Sequence, residues 1–141
     1  MTRIYWDSML FIYLLEGNPV SGPKARKILE QIVVRGDSIC TSVFSIGEIL
    51  TGPRRRGSTS GVDAVRSYFT SDAVEVLPFT ERTADRYSVI RSANRVSQAD
   101  AIHLASAAEA GADIFFTNDS DLRRLSIPGI KFFADLEGKV F

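Results

Sequence analysis

Cysteine is almost absent from this sequence, and no apolar run is long. The only cysteine among 141 residues is Cys40, which excludes an internal disulfide framework and a cysteine-rich zinc site. The longest apolar run, residues 9–15, is too short to span a bilayer. An acid as early as Asp7 argues against a signal peptide. We therefore expect a soluble, cytoplasmic protein in which Cys40 is a small buried hydrophobic residue.

An excess of positive charge is also missing. The chain has 17 lysines and arginines against 17 acids, and this balance is not that of a general electrostatic nucleic-acid binder. Basic residues nevertheless cluster at Arg54, Arg55 and Arg56. A second group recurs along one predicted helix: Arg82, Arg86, Arg91 and Arg95. Both groups have two interpretations, a solvated surface or a set of contacts to RNA phosphates around an acidic centre.

Short β-type runs alternate with helical patterns along the chain. Strands are predicted over residues 4–6, 38–41, 73–77, 114–117 and 130–133. Helices are predicted over residues 8–16, 21–35, 44–50, 62–69, 80–94, 97–110 and 120–125. In the helix that Thr80 caps, we expect Ala84, Tyr87 and Ile90 to point inward. The alternation implies crossover connections, and it predicts a three-layer α/β/α sandwich with a mainly parallel five-stranded sheet in one domain, residues 1–141.

Four acids share one position in this predicted topology. Asp7 directly follows the first strand, and Asp119 follows the fourth. Glu48 lies in the first turn of the helix after the second strand, and Asp100 lies in the first turn of the helix that leads into the fourth. In a parallel α/β layer, helix N-termini gather at the carboxyl edge of the strands, where open sheets form their ligand crevice. The topology therefore predicts that the four carboxylates point to this edge.

Helix capping is the alternative explanation for each acid taken alone. An acid in a first helical turn complements the helix dipole, and either Asp7 or Asp119 could serve as an N-cap. Two pairs also have the spacing of a capping box: Ser45 with Glu48, and Ser97 with Asp100. On the sequence alone, capping explains any single acid as well as a functional role does.

Capping does not explain the apolar segments in which Asp100 and Asp119 lie. Carboxylates that crowd together in such surroundings repel one another and raise one another's pKa. A hard divalent cation removes that cost, because carboxylate oxygens are its preferred ligands. The four acids taken together therefore favour a metal site.

Four segments of the sequence resemble those of the PIN-domain family, and in particular those of the VapC-like toxins of bacterial and archaeal toxin–antitoxin pairs. The strand that ends in Asp7-Ser8 is similar to the family's opening acid motif. The other segments are SVFSIGEI at residues 42–49, QADAIHLA at residues 98–105 and FTNDSDL at residues 116–122. Met9 stands where the family often has asparagine, and Leu122 stands where an aromatic residue is common. The resemblance covers essentially the whole chain and includes every acid of the family's set.

The resemblance implies a parallel sheet between helices and a metal-dependent endoribonuclease activity. It also implies a homodimer and a separate antitoxin protein that inhibits the toxin. The expected catalytic residues are Asp7, Glu48, Asp100 and Asp119. Of these, the three aspartates are expected to bind one or two Mg²⁺ or Mn²⁺ ions, and Glu48 is expected to hold a water that the metal activates for attack on the phosphate.

Three further polar residues lie close to these acids in the sequence. Thr117 is expected to orient Asp119 or a bound water, although a strand end also favours threonine. His103, three residues after Asp100, is interpreted as a core or helix-face histidine rather than a general base, because a metal already supplies the base function. Asp121 is expected to face solvent or to cap a short helix.

Two other functions stay open at this stage. A Mg²⁺-dependent phosphotransferase also places aspartates at strand ends, but a dehalogenase-type site needs a second aspartate where Met9 stands. A receiver-type site needs an acid pair after its first strand and a lysine after its last, and neither pattern is present. The other alternative is a non-catalytic module that uses a PIN scaffold to bind a protein or an RNA.

Overall fold

Five parallel strands form one sheet at the centre of the molecule. A computed structural model describes residues 1–138 of the chain. The strands are β1 (Arg3–Trp6), β2 (Ser38–Ser42), β3 (Glu75–Leu77), β4 (Ile114–Phe116) and β5 (Phe132–Ala134), and their order across the sheet is β3-β2-β1-β4-β5. Every neighbouring pair is parallel. The predicted α/β fold is confirmed, and the sheet is entirely rather than mainly parallel.

In the described part of the chain, six α-helices flank the sheet. They are α1 (Ser8–Leu15), α2 (Ser21–Arg35), α3 (Val43–Arg55), α4 (Thr59–Thr70), α5 (Glu81–Ala93) and α6 (Gln98–Glu109). A single 3-10 turn, Leu122–Arg124, stands where a longer helix is predicted. Within residues 1–138, no helix is both long enough and apolar enough to cross a membrane.

Alternating side chains on the strands divide the core into two layers. Ile4 and Trp6 of β1 point to the face covered by α1, α2, α3 and α4, while Tyr5 between them points to the face covered by α5 and α6. Phe116 and Phe115 of β4 divide in the same way. Both faces of the central strands are therefore buried, as the parallel pairing requires.

Two aromatic rings that could otherwise stack on a nucleic-acid base, and one thiol, are buried in these layers. Trp6 and Phe11 are fully buried with their ring centroids 5.1 Å apart, so neither ring is available to stack on a base. Cys40 is a buried free thiol, and burial raises its pKa to about 12. At neutral pH this thiol is protonated and behaves as a small hydrophobic residue, as predicted.

Helix α3 is longer than its sequence predicts. The prediction stops near residue 50 because glycine and proline follow, and proline lacks the N–H that a helix interior needs. The helix nevertheless continues to Arg55, with Pro53 buried inside it. A Cβ added to Gly61 of α4 would lie 3.1 Å from the Pro53 ring, so the two helices pack closely at this point. This packing outweighs the missing hydrogen bond.

Two other helices also differ from the prediction. Helix α4 begins at Thr59, before the predicted start at residue 62, because the Ser58 hydroxyl accepts a hydrogen bond from the N–H of Gly61 at 3.0 Å and caps the helix. In α5, Ala84 is exposed rather than buried, and Thr83 takes the inward position with Ile90. Thr83 also forms a capping box with Thr80, which explains why a polar residue is buried there.

The order in which the chain adds strands to the sheet reverses between β1 and β4. From β1 the chain moves to β2 and β3 on one side, then returns to β4 on the other side of β1. At the carboxyl edge, the N–H of Asp7 donates to the carbonyl of Phe116 at 3.1 Å. Open α/β sheets form their ligand crevices at such switch points.

Candidate active site

Asp7 is the first residue after β1, and its two carboxylate oxygens have different partners. Oδ1 accepts a hydrogen bond from the N–H of Met9 at 2.8 Å, so Asp7 is the N-cap of α1. Oδ2 accepts a hydrogen bond from the Thr117 hydroxyl at 2.7 Å. The capping role is therefore present, and it uses only one of the two oxygens.

Thr117 connects the ends of β1 and β4. It is fully buried, and its hydroxyl oxygen accepts a hydrogen bond from the N–H of Asp119 at 3.1 Å while its proton goes to Asp7. One hydroxyl thus contacts two of the acids, Asp7 through its carboxylate and Asp119 through its backbone.

Asp119 is exposed at the carboxyl edge of the sheet. Its Oδ1 accepts a hydrogen bond from the N–H of Asp121 at 2.9 Å, so the side chain closes a short turn and is not a helix N-cap. Asp121 precedes the 3-10 turn, but its exposed side chain makes no capping hydrogen bond there.

Asp100 lies in the first turn of α6, as predicted, but the N-cap of that helix is Ser97. The Ser97 hydroxyl accepts a hydrogen bond from the N–H of Asp100 at 3.1 Å. Burial is the main cause that raises the pKa of the Asp100 carboxyl above its ordinary value. The Ser97 hydroxyl and His103 oppose that rise, and the negative charges of Asp119 and Asp7 add to it. Asp119 and Asp7 therefore lie near enough to act electrostatically on Asp100.

Glu48 lies in the second turn of α3, so its predicted place in the first turn is wrong. The helix begins at Val43, and the Ser42 hydroxyl caps it by accepting a hydrogen bond from the N–H of Phe44 at 3.1 Å. The capping box proposed for Ser45 and Glu48 is absent, because Ser45 is buried with its hydroxyl 2.6 Å from that of Thr41. Helix capping therefore gives no explanation of Glu48.

His103 holds the Glu48 carboxylate. Its Nε2 lies 2.5 Å from Glu48 Oε1, and the ring is only 4% exposed. Burial acts to raise the pKa of Glu48, but the hydrogen bond of His103, the charge that its ring carries when protonated and the Ser8 hydroxyl outweigh burial and lower that pKa. Glu48 is therefore ionised at neutral pH, although its side chain is only 29% exposed.

The sequence predicts no role for two neighbours of this pair, Tyr5 and Ser8. The Tyr5 hydroxyl lies 2.7 Å from Nδ1 of His103, on the side of the ring opposite Glu48. Tyr5 is fully buried, and this burial raises its pKa well above the ordinary range. Ser8 follows Asp7 directly, and that adjacency to a predicted site residue is the one sequence signal that points to it.

A fifth acid, Asp135, also lies at the carboxyl edge and was not predicted. It follows β5 directly and is buried, and its Oδ2 accepts a hydrogen bond from Arg123. Its Oδ1 accepts another from the N–H of Glu137 at 3.0 Å. The positive charge of Arg123 balances the negative charge of Asp135. This acid therefore differs from Asp100, on which Asp119 and Asp7 act by repulsion.

The carboxylates fit a hard divalent cation by their chemistry. They offer oxygen ligands only, which suits Mg²⁺ or Mn²⁺ better than zinc. Asp7, Asp100 and Asp119 form the electrostatically coupled set. Glu48 contacts His103, which is one of the groups that act on the pKa of Asp100. Across the described part of the chain, however, no three acid, histidine or cysteine side chains form a ready-made metal cluster.

The arginines at residues 54–56 are exposed at the C-terminal end of α3. Arg54 follows Glu48 by six residues, which corresponds to roughly 9 Å along the helix axis. Arg56 forms an ion pair with Glu16 at 3.1 Å. Of the three, Arg54 is therefore nearest to the acids along the helix.

The arginines of α5 have partners on the protein surface. Arg82 and Arg86 both form ion pairs with Glu109, at 3.0 and 2.6 Å. Arg91 lies over the ring of Tyr87, with its guanidinium carbon 6.0 Å from the ring centroid. These contacts favour the interpretation of Arg82, Arg86 and Arg91 as surface residues.

Several solved structures share this fold. VapBC2 from Rickettsia felis, solved with a DNA fragment from their promoter, matches with a TM-score of 0.76 and 14% identity, over 95% of this chain and 98% of that chain. VapC20 from Mycobacterium tuberculosis, described as a sarcin-ricin loop cleaving toxin, matches with a TM-score of 0.66 and 20% identity, over 84% and 91% of the two chains. A toxin–antitoxin complex from Klebsiella pneumoniae matches with a TM-score of 0.65 and 19% identity, over 90% and 94%.

The family is shown by the sequence itself. No curated protein sequence matches the chain. The profile of the PIN domain, in contrast, matches residues 4–128, from β1 to the segment that precedes β5. The structural neighbours are consistent with that match, since they include VapC toxins of toxin–antitoxin systems. The chain belongs to the PIN domain family.

Proposed function

We propose that this chain is a Mg²⁺- or Mn²⁺-dependent endoribonuclease that cleaves RNA phosphodiester bonds, and that it is the cytoplasmic toxin of a toxin–antitoxin pair. The observation that carries the proposal is the environment of Asp100. This carboxyl is not the cap of its helix, and burial together with the charges of Asp119 and Asp7 raises its pKa. A divalent cation would offset the repulsion among the three aspartates.

Each acid has a proposed task. Asp7, Asp100 and Asp119 would hold one or two ions, which supply Lewis-acid activation of water and neutralise charge at the reacting phosphate. Glu48, kept ionised by His103 and Ser8, accepts a hydrogen bond from the attacking water and orients it.

Thr117 is proposed to keep two of these acids in place. Its proton goes to the Asp7 carboxylate, and its oxygen binds the N–H of Asp119, so one side chain restrains the ends of β1 and β4 together. A side chain that fixes a ligand from behind in this way commonly contributes to metal affinity.

Arg54, Arg55 and Arg56 are proposed to contact RNA phosphates away from the cleaved bond. Their exposure at the end of α3 supports this role. Replacing all three with alanine should raise KM and weaken the salt dependence of RNA binding, while kcat changes little. A variant that loses kcat with KM unchanged would contradict a phosphate-binding role.

The domain and its partners are also proposals. We propose that residues 1–141 form a single PIN domain, because β5 lies beyond the matched segment yet pairs with β4 in the same sheet. A separate antitoxin is supported by the neighbours solved as toxin–antitoxin complexes, and a homodimer is expected with it. Light scattering of the purified chain tests the homodimer. Survival of cells that express the chain with and without a candidate antitoxin gene tests the antitoxin.

The nuclease is tested by incubating the purified chain with a structured RNA pool in Mn²⁺, Mg²⁺ or EDTA. The Asp100→Asn variant serves as the matched control, because it keeps the shape of the side chain and removes its charge. Cleavage that requires metal and is lost in the variant would support the proposal. Cleavage that survives EDTA, or that is unchanged in the variant, would contradict it.

A non-catalytic binding module is the second candidate, and two observations favour it. Asp7 caps α1 and Asp119 closes a turn, so both have local roles. The described residues also contain no ready-made metal cluster. Calorimetric titration with Mn²⁺ separates the candidates: no binding heat together with no cleavage would identify a binding module.

A further inference from the structure

His103 connects a buried hydrogen-bond network to Glu48. The N–H of Ser42 donates to the Tyr5 hydroxyl oxygen at 3.1 Å. The Tyr5 hydroxyl lies 2.7 Å from His103 Nδ1, and His103 Nε2 lies 2.5 Å from Glu48 Oε1. The network therefore runs from the end of β2, through β1 and α6, to a carboxylate on α3.

The two ends of this network determine the direction of two of its hydrogen bonds. A backbone N–H can only donate, so the Tyr5 oxygen accepts from Ser42. An ionised carboxylate can only accept, so the proton between His103 and Glu48 belongs to Nε2. In a neutral ring, a proton on Nε2 leaves Nδ1 bare, and Nδ1 can then accept the remaining proton of Tyr5. Every group then has a partner.

The ring is also held in place by packing. The rings of Tyr5 and Phe44 both approach His103 edge-on, with centroid distances of 5.9 and 5.7 Å. Ser8, on α1, also acts to lower the pKa of Glu48, so polar groups from α1 and α6 both favour the ionised carboxylate. These are the helices that begin next to Asp7 and that carry Asp100.

We infer that His103 is a positioning residue that orients the Glu48 carboxylate toward the three aspartates, in a tautomer set by the Tyr5 hydroxyl. This inference rests on the proposed nuclease function. It changes the interpretation of His103 from a core histidine to a residue that acts on the reaction through Glu48.

Two substitutions of similar polarity separate positioning from mere packing. In His103→Gln, the amide nitrogen reaches the place of Nε2 and still donates to Glu48. In His103→Asn, the amide reaches only the place of Nδ1, so Glu48 loses its donor. We expect the asparagine variant to lose roughly 10- to 100-fold in kcat with KM unchanged, and the glutamine variant to keep most of the wild-type rate. Equal losses in the two variants would overturn the inference.

A double-mutant cycle tests whether His103 acts through Glu48. In a Glu48→Gln background, His103→Asn should cause no further loss of kcat, because the group that it positions is already changed. Losses that multiply in the double variant would overturn the inference. Thermal unfolding of each variant shows whether it is folded. If the asparagine variant does not fold, the glutamine variant and the ¹⁵N NMR spectrum of the His103 ring test the inference.

The tautomer can be measured without metal or RNA. His103 is the only histidine in the chain, so ¹⁵N NMR of the imidazole reports on this ring alone. At neutral pH we expect a protonated Nε2 and a bare Nδ1, and we expect Tyr5→Phe to shift the Nδ1 resonance. A proton on Nδ1 would overturn the inference.

The kinetic and spectroscopic results also separate this inference from the function on which it rests. A wild-type chain that cleaves no RNA with either metal would refute the proposed nuclease, and with it any catalytic purpose of His103. An active wild type, in which the His103→Asn loss multiplies with that of Glu48→Gln, would refute the positioning role alone. An active wild type, no further loss of kcat in the double variant and a bare Nδ1 would support both the nuclease function and the positioning role.

Discussion

Asp100 is a carboxyl group whose surroundings oppose its own charge. Burial and the neighbouring charges of Asp119 and Asp7 raise its pKa above the ordinary value of 3.8. Between that value and the raised one, the folded protein binds more protons than the unfolded chain, so stability falls as pH rises through this window. Ionised Asp100 therefore destabilises the metal-free protein at neutral pH.

The first prediction concerns this charge. In EDTA at pH 7, Asp100→Asn should unfold with a higher free energy than the wild type, because asparagine carries no charge to repel Asp119 and Asp7. The advantage should shrink as pH falls toward the ordinary pKa of an aspartate. Urea unfolding at several pH values measures both effects, and a variant that is less stable than the wild type at pH 7 would contradict this account of Asp100.

Asp7 allows helix capping and metal binding to be separated. Asparagine is as good an N-cap as aspartate, whereas alanine is not. Asp7→Asn should therefore be at least as stable as the wild type, since it also relieves repulsion with Asp100, and it should lose metal-dependent cleavage. Asp7→Ala should lose cleavage and also about 1 kcal/mol of stability. If both variants cleave RNA at the wild-type rate, the role of Asp7 is limited to capping α1.

At the scale of the secondary-structure elements, the first two turns of α6 carry Asp100 and then His103, which contacts Glu48. Ser97 caps the first of these turns. We expect Ser97→Ala to cost about 1 kcal/mol of stability, to speed hydrogen exchange in the first turn of α6 and to lower the cleavage rate. Urea unfolding, amide hydrogen exchange and RNA-cleavage kinetics of this variant measure the three effects.

Thr80 provides the matched control for Ser97. It caps α5 with the same kind of hydrogen bond, and no acid of the proposed centre lies on α5. Thr80→Ala should therefore cost a similar free energy of unfolding and leave cleavage unchanged. If both alanine variants lose activity equally, general stability rather than the α6 cap accounts for the loss.

Elements with clear local signals were predicted well. The apolar spacing of α2 and the glycine after it predict residues 21–35, and Gly36 does adopt the left-handed conformation with φ of 72°. Helix α3 was predicted too short because its continuation depends on packing of Pro53 against α4, which local sequence does not encode. The Ser42 cap starts α3 at Val43, and this start places Glu48 in the second turn rather than the first.

At the scale of the whole molecule, topology made the position of the acids predictable, while their contacts were not. The rule that parallel strands share a carboxyl edge places Asp7 and Asp119 at one edge without coordinates. The contact between His103 and Glu48 joins residues 55 positions apart, and that of Tyr5 with His103 joins residues 98 apart. Neither contact follows without the order of the strands and the packing of α6 beside β2.

Binding of a cation should stabilise the whole fold. Mn²⁺ at about 100 times its dissociation constant would contribute about 2.7 kcal/mol, which raises Tm by several degrees for a chain of this size. The effect should weaken as pH falls, because protons then compete for the carboxylates. Thermal unfolding with and without Mn²⁺ measures the shift. An equal shift in Asp100→Asn would contradict binding at the proposed site.

The most direct test of the central claim is a crystal structure of the chain grown with Mn²⁺ and measured at a wavelength where manganese scatters anomalously. Our account predicts an anomalous peak bounded by the carboxylates of Asp7, Asp100 and Asp119, with Glu48 still held by His103. A well-ordered structure with no peak among these three aspartates, or with manganese bound only elsewhere, would contradict the claim that they form the metal centre of a nuclease.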